Sequence, residues 1–181
     1  MRDQIARLRG AIYSLWYGYF RKNVSIGTGL RIYKKLRISG SGRVDIGRNF
    51  VVDGICGDRS QYVTLDVLHP DSVIRIGNNA RFHAARISAK FKISIGDDVL
   101  IEESGVIDTD FHSIEKKREN SSDENAEKCS VSIGDRVSIG SRSFVTKGLT
   151  IGDDVIVAPG SVVATSVKAC MRVCGNPARP L

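Results

Sequence analysis

Apolar residues recur every six positions along most of this chain: Ile133, Ile139, Val145, Ile151, Val157, Val163 and Ala169 follow one another at that step without a break. Upstream, Ile95, Ile101 and Ile107 keep the same step, as do Ile26, Ile32, Ile38 and Val44. A period of six fits neither the 3.6 of an α-helix nor the alternation of a solitary strand. It fits a solenoid in which each hexad supplies one short side and one corner, with its first residue pointing inward and three sides making a coil. Ile133, Ile151 and Ala169 would then stack, as would Ile139 and Val157, with neighbouring coils about 4.8 Å apart.

The corners carry their own phrase. Ile76-Gly77-Asn78-Asn79-Ala80, Ile95-Gly96-Asp97-Asp98-Val99, Ile133-Gly134-Asp135-Arg136-Val137 and Ile151-Gly152-Asp153-Asp154-Val155 repeat I-G-x-x-x, often with Asx after the glycine. Gly and Asx suit turns where φ is positive or a side chain bonds its own backbone. A doubly wound α/β domain would need helical periods between strands, and none follows residue 25.

Two stretches leave the pattern. Residues 1–23 place Ile5, Leu8, Ile12, Leu15, Trp16, Tyr19 and Phe20 at helical spacing, with Arg2, Arg9 and Arg21 among the polar positions. This predicts a short amphipathic helix with two open roles. It can cover the end of the solenoid, or lie on a membrane surface as basic aromatic helices do. The cap is preferred, since solenoids need polar-faced caps. Residues 113–130 are dense in charge and nearly without apolar anchors, which predicts an extruded loop; a loop of that length is commonly functional. Residues 53–72 are irregular, with no chemistry assigned. The domain plan is therefore a helix over 1–23 and one β-helix over 24–181 with a loop at 113–130.

Composition agrees: 18 Gly against 4 Pro fit a chain of many tight corners. The net charge of +7 is uneven, because residues 1–50 hold eleven Arg or Lys against Asp3 and Asp45. A basic end attracts phosphate, whether on a cofactor, a lipid or a nucleotide-linked substrate. No nucleic-acid motif accompanies it, so no nucleic-acid partner is expected. The four cysteines form no C-x-x-C pair, no secretory signal is evident and no apolar run reaches the ~20 residues of a membrane span, which together predict a cytoplasmic protein.

Three histidines are available for chemistry: His69, His83 and His112. His112 ends the phrase Ile107-Asp108-Thr109-Asp110-Phe111-His112, where the coil gives way to the charged loop, on an exposed corner. An imidazole there suits removal of a hydroxyl proton, and Asp110 first, Asp108 second, are the carboxylates placed to orient it. His69 and His83 read as structural or surface residues. No paired histidine spacing suits zinc, so no metal is expected and a γ-class carbonic anhydrase becomes a remote rival. Cys129, Cys170 and Cys174 show no orienting partner, which speaks against a covalent enzyme intermediate.

The repeat, with the closing runs Ala158-Pro159-Gly160-Ser161-Val162-Val163 and Cys174-Gly175-Asn176-Pro177-Ala178-Arg179, resembles the bacterial hexapeptide-repeat acyltransferases over residues 24–181. The resemblance implies a left-handed coil, although parallel crossovers are ordinarily right-handed. It implies acetyl-CoA as acyl donor and His112 as general base. It also implies a CoA edge at Gly140, Ser141, Ala158, Thr165 and Arg179, the last meeting a CoA phosphate. Coil stacking puts Gly140 over Ala158 and Ser141 over Pro159, a corner of small residues able to offer backbone N–H to an oxyanion. Within the family, the D-x-D-x-H phrase, charged loop and basic aromatic N-terminus look like the surface-polysaccharide O-acetyltransferases. That implies a sugar or nucleotide-sugar acceptor and a homotrimer with interfacial sites, while the helix over 1–23 itself leaves peripheral membrane contact as an option. A nucleotide-amino-sugar N-acetyltransferase and a non-catalytic solenoid stay open.

Overall fold

A computed structural model describes residues 1–54, 62–109 and 125–181. From Val24 onward the chain winds as a three-sided parallel β-helix. The first face stacks Val24–Ile26, Arg43–Ile46, Val73–Ile76, Lys92–Ile95, Val131–Ile133 and Thr150–Ile151. The second face stacks Arg31–Ile32, Val51–Asp53, Arg81–His83, Leu100–Glu102, Ser138–Ile139, Ile156–Val157 and Arg172–Gly175. The third stacks Leu36–Gly40, Val63–Val67, Arg86–Ala89, Gly105–Ile107, Phe144–Val145 and Val162–Val163.

Inward residues from the three faces make one continuous core. Ile32, Val52, Phe82, Ile101, Ile139 and Val157 descend the second face, all buried, and Phe50 meets Phe82 edge-on with ring centroids 5.0 Å apart. Each such side chain contributes roughly 1.5–3 kcal/mol by leaving water.

The I-G-x-x-x phrase serves the corner between the first and second faces in two ways. Its Gly N–H donates to the next coil's carbonyl: Gly77 to Ile95, Gly96 to Ile133 and Gly134 to Ile151, each at 2.8 Å. The Asx that follows forms a side-chain ladder, in which Asp97 Oδ1 accepts from the Asn78 amide at 2.6 Å, Asp135 Oδ1 from Asp97 at 2.8 Å and Asp153 Oδ1 from Asp135 at 2.9 Å. The residue after that is left-handed at Asn49, Asn79, Asp98, Arg136 and Asp154, with φ between 56° and 58°. Asn and Asp tolerate that region. Arg136 instead reaches the next coil, its Nε and Nη2 each 2.8 Å from an Asp154 oxygen.

The six-residue step holds without a break from Ile133 to Val163 and is adjusted elsewhere. Coils three and four lose one residue at the corner between the second and third faces, where Ala84 and Glu103 take positive φ. Val106, not Ile107, therefore points inward, in register with Ile87 and Val145. In the last coil Val167 bridges to Ile151, leaving Ala169 exposed. Residues 62–72 are more regular than their sequence suggested, because Val63–Val67 pairs with Leu36–Gly40 and Arg86–Ala89. Their coil is simply longer: register partners Val44 and Ile74 lie 30 residues apart.

Both ends are covered. The helix α1, Arg2–Phe20, crosses the first coil with Ala6, Gly10 and Tyr17 buried beneath it. Gly10 is required, since a Cβ there would lie 1.9 Å from the Leu30 carbonyl oxygen. Tyr33 donates to Asp3, Arg7 donates to it at 2.8 Å, and Arg2 approaches Asp53 at 3.5 Å. The helix meets the first coil through its small and aromatic side. At the far end Ala178–Pro180 folds back antiparallel on Arg172–Gly175. Among the described residues, no helix is long and apolar enough to cross a membrane.

Candidate functional site

Two insertions leave the coil on different edges. One leaves the second-to-third corner of coil two, between Gly54 and Tyr62. The other leaves the third-to-first corner of coil four, between Thr109 and Asn125, and carries the expected base His112 and its partner Asp110. Both of those residues lie outside the described residues, as do residues 113–124 of the expected loop.

The roots of that second insertion are firmly held. Asp108 is fully buried, and its carboxylate accepts from the Lys90 amide at 2.6 Å and the Phe91 amide at 2.8 Å. Burial pushes its carboxyl above the ordinary aspartate range, against the pull of those amides. Asp108 is therefore the anchor of the preceding coil's turn, with a backbone amide on each of its oxygens. On the return side, Asn125 accepts from the Lys128 amide at 2.9 Å and starts a single helical turn, α2, Ala126–Cys129. Cys129 is buried, and its carbonyl takes the Gly148 N–H at 2.8 Å. Ala126–Cys129 thus form a short helical turn tied to the coil through buried Cys129, with its outer residues exposed.

The expected CoA edge assembles in part. Gly140, Ser141 and Ala158 share the second-to-third corner, in the stacking anticipated from the repeat. Gly140 must be glycine, because a Cβ would fall 2.8 Å from the Pro159 nitrogen. Arg179 continues the same line, paired with Cys174 one strand beyond Ala158. Thr165 is elsewhere, exposed on the third-to-first corner. The Gly140 N–H donates to Val157 and the Ala158 N–H to Val173, both at 2.9 Å, while the Ala158 carbonyl accepts from Ser143 at 3.1 Å and Ser161 at 2.6 Å. These groups serve neighbouring coils, so what Gly140 and Ala158 offer a ligand is close approach rather than an oxyanion donor.

Ser141 has neighbours that the sequence reading passed over. Its hydroxyl donates to Glu102 Oε2 at 3.3 Å, and Glu102 Oε1 lies 3.9 Å from His83 Nδ1. His83 and Glu102 are register partners on adjacent coils, both half-buried. Around the corner a groove of about 490 Å³ is lined by Tyr62, Arg86, Ser104, Arg142 and Phe144, with Arg142 Nε 3.5 Å from Glu103. The corner thus joins an imidazole–carboxylate pair, a hydroxyl and guanidinium groups beside a backbone that a ligand can approach. The signal for it was available: Glu102 follows His83 by one coil of nineteen residues, a length an eighteen-residue ruler misses. His69 lies apart, on the third-to-first corner near Asp71. Among the described residues no three His, Cys, Asp or Glu side chains gather as a metal site.

Comparison with known proteins fits this architecture. Residues 130–165 match the family described as Bacterial transferase hexapeptide (six repeats). Galactoside O-acetyltransferase of Escherichia coli (strain K12) is 30% identical over 112 residues, 60% of this chain and 53% of the relative, so the match spans about half the length of that relative. Among solved structures, AntD, an N-acyltransferase from Bacillus cereus in complex with dTDP and 3-hydroxybutyryl-CoA, superposes with a TM-score of 0.65 at 21% identity. The match covers 88% of this chain and 79% of that one. Galactoside acetyltransferase in complex with coenzyme A gives 0.56 at 20% identity, covering 98% and 80%. Residues 130–165 thus match the bacterial transferase hexapeptide repeat, and the chain has the left-handed parallel β-helix fold that the resemblance implied.

Proposed function

We propose that this protein is a cytoplasmic acetyl-CoA-dependent O-acetyltransferase acting on a saccharide hydroxyl, by direct transfer with His112 as general base and Asp110 orienting it. The observation that carries the reading is the hexapeptide match that starts at residue 130, where the His112 insertion returns to the coil, in a chain 30% identical over 112 residues to a galactoside O-acetyltransferase. The imidazole of His112 takes the acceptor proton as the sugar oxygen attacks the thioester carbonyl. The tetrahedral intermediate collapses, the C–S bond breaks, and the imidazolium returns the proton to the departing thiolate. Gly140, Ser141 and Ala158 let the acyl-CoA arm approach the corner, Arg179 meets a phosphate along the same line, and Thr165 serves a neighbouring edge.

The insertion and the CoA corner stand on different edges of the prism. This supports a homotrimer in which the loop of one subunit completes a site on the corner of the next. A second reading, N-acyl transfer to a nucleotide amino-sugar, is favoured by Arg86 and Arg142 in the groove beside Ser141, since guanidinium groups suit a diphosphate; AntD, a structure of the same fold, is an N-acyltransferase in complex with dTDP.

Thiol release from acetyl-CoA across a panel of sugars and nucleotide sugars tests both readings. Turnover on a hydroxyl sugar is expected. Turnover on amino-sugars alone moves the assignment to N-transfer, and no turnover together with no CoA binding by calorimetry overturns both.

A further inference from the structure

The helix α1 turns its apolar stripe away from the protein it caps. Ala6, Gly10 and Tyr17 face the coil, whereas Leu8, Ile12, Leu15 and Tyr19 on the opposite side are between 57% and 79% exposed. Trp16 flanks them at 50%. A cap needs only its inner side, and a stripe of large apolar residues on the outer side marks a surface that meets something else.

Charge selects the occupant. Residues 1–44 contain ten Arg or Lys and a single acidic residue, Asp3, which Arg7 and Tyr33 already hold. A second copy docked stripe to stripe would oppose two strongly basic ends, and the helix has no glutamate to pair with Arg9 across a helical seam. An anionic surface gains from the same charges, and aromatic residues such as Trp16 and Tyr19 settle at the headgroup boundary. At 19 residues and charged along its first half, α1 lies on a bilayer rather than through it.

We propose that the outer face of α1 docks the protein on an anionic phospholipid bilayer, with Leu8, Ile12 and Leu15 seated among the acyl chains and Trp16 at the interface. The docking does not depend on the acyl-transfer reading, because its readouts are lipid binding and fluorescence.

Trp16 is the sole tryptophan of the chain and so reports the event without substitution. Vesicles of equal parts phosphatidylcholine and phosphatidylglycerol are expected to shift its emission to the blue and to sediment the full-length protein, less so as salt rises. Phosphatidylcholine alone is expected to do neither. Leu8→Glu with Leu15→Glu, both at exposed positions, is expected to lower binding at least about tenfold with the melting temperature unchanged. The proposal is overturned by an unshifted Trp16 emission with the mixed vesicles, or by undiminished binding of the folded double variant. A concentration-dependent doubling of mass that the double variant abolishes also overturns it, and assigns the stripe to a second copy.

Discussion

Two histidines compete for the role of base at the level of single residues, and their surroundings separate them. His112 belongs to the insertion that immediately precedes the hexapeptide match, whereas His83 is fixed on the second face with Glu102 at 3.9 Å. If His112 is the base, His112→Ala lowers kcat by about 10²–10⁴ with CoA affinity kept, while His83→Ala stays within about tenfold of the native enzyme. Steady-state kinetics with calorimetric CoA titration checks this, and the reverse ranking reassigns the base to the His83–Glu102 pair. Asp108 tests the anchor of the insertion. Asp108→Asn turns one of its two acceptors into an NH₂ group facing a backbone N–H, which costs about 1–3 kcal/mol and is read as a lower denaturant midpoint.

The corner ladder makes an acid-sensitive device at the scale of elements. Hydrogen bonds from the Asn78 amide and side chain hold Asp97 below the ordinary aspartate value of 3.8, and the Arg136 guanidinium does the same for Asp154. A carboxyl depressed in the folded state stabilises above the unfolded value and loses that contribution as pH falls through the lower folded one. The thermal midpoint is therefore expected to drop on acidification below about 3.8, and Asp97→Asn to flatten that drop while keeping the fold. Asn78 already does the same job in the coil before, its Oδ1 accepting the Arg48 amide at 3.0 Å. A steeper acid limb in the variant would contradict the assignment. This ladder also shows what could be read from the sequence. Ile-Gly-Asx announced the corner and the inward isoleucine. The phrase did not announce that Glu103 and Ala84 shorten another corner by one residue, because a left-handed non-glycine leaves no mark in composition. The shortened corner moved Val106 inward in place of Ile107, and a longer return to the first face made the coil that sets Glu102 under His83. Local backbone choices thus hid both a core position and part of the site. The direction of the α1 stripe was not legible for a related reason: helical spacing reveals an apolar face without saying which way it points, and Gly10, pressed against Leu30, decided it.

At the scale of the whole molecule, the relation that matters is between the edge that launches His112 and the edge that carries Gly140, Ser141 and Ala158. A triangular prism puts these edges on either side of its third face, and in the proposed homotrimer a rotation about the threefold axis would lay one subunit's edge against the other edge of its neighbour. Each half-site can therefore be disabled separately. His112→Ala removes the proposed base from one edge, and Gly140→Leu fills the other with a side chain where even a Cβ meets Pro159 at 2.8 Å. Homotrimers of either variant should be inactive. Mixed trimers, formed by denaturing and refolding the two together, retain an intact loop facing an intact corner at some interfaces, so a substantial fraction of native activity should return. Recovery that follows the mixing ratio supports interfacial sites. No recovery from folded mixed trimers would mean that each chain folds its own loop back onto its own corner, and an active monomer on gel filtration would remove the need for the threefold arrangement altogether.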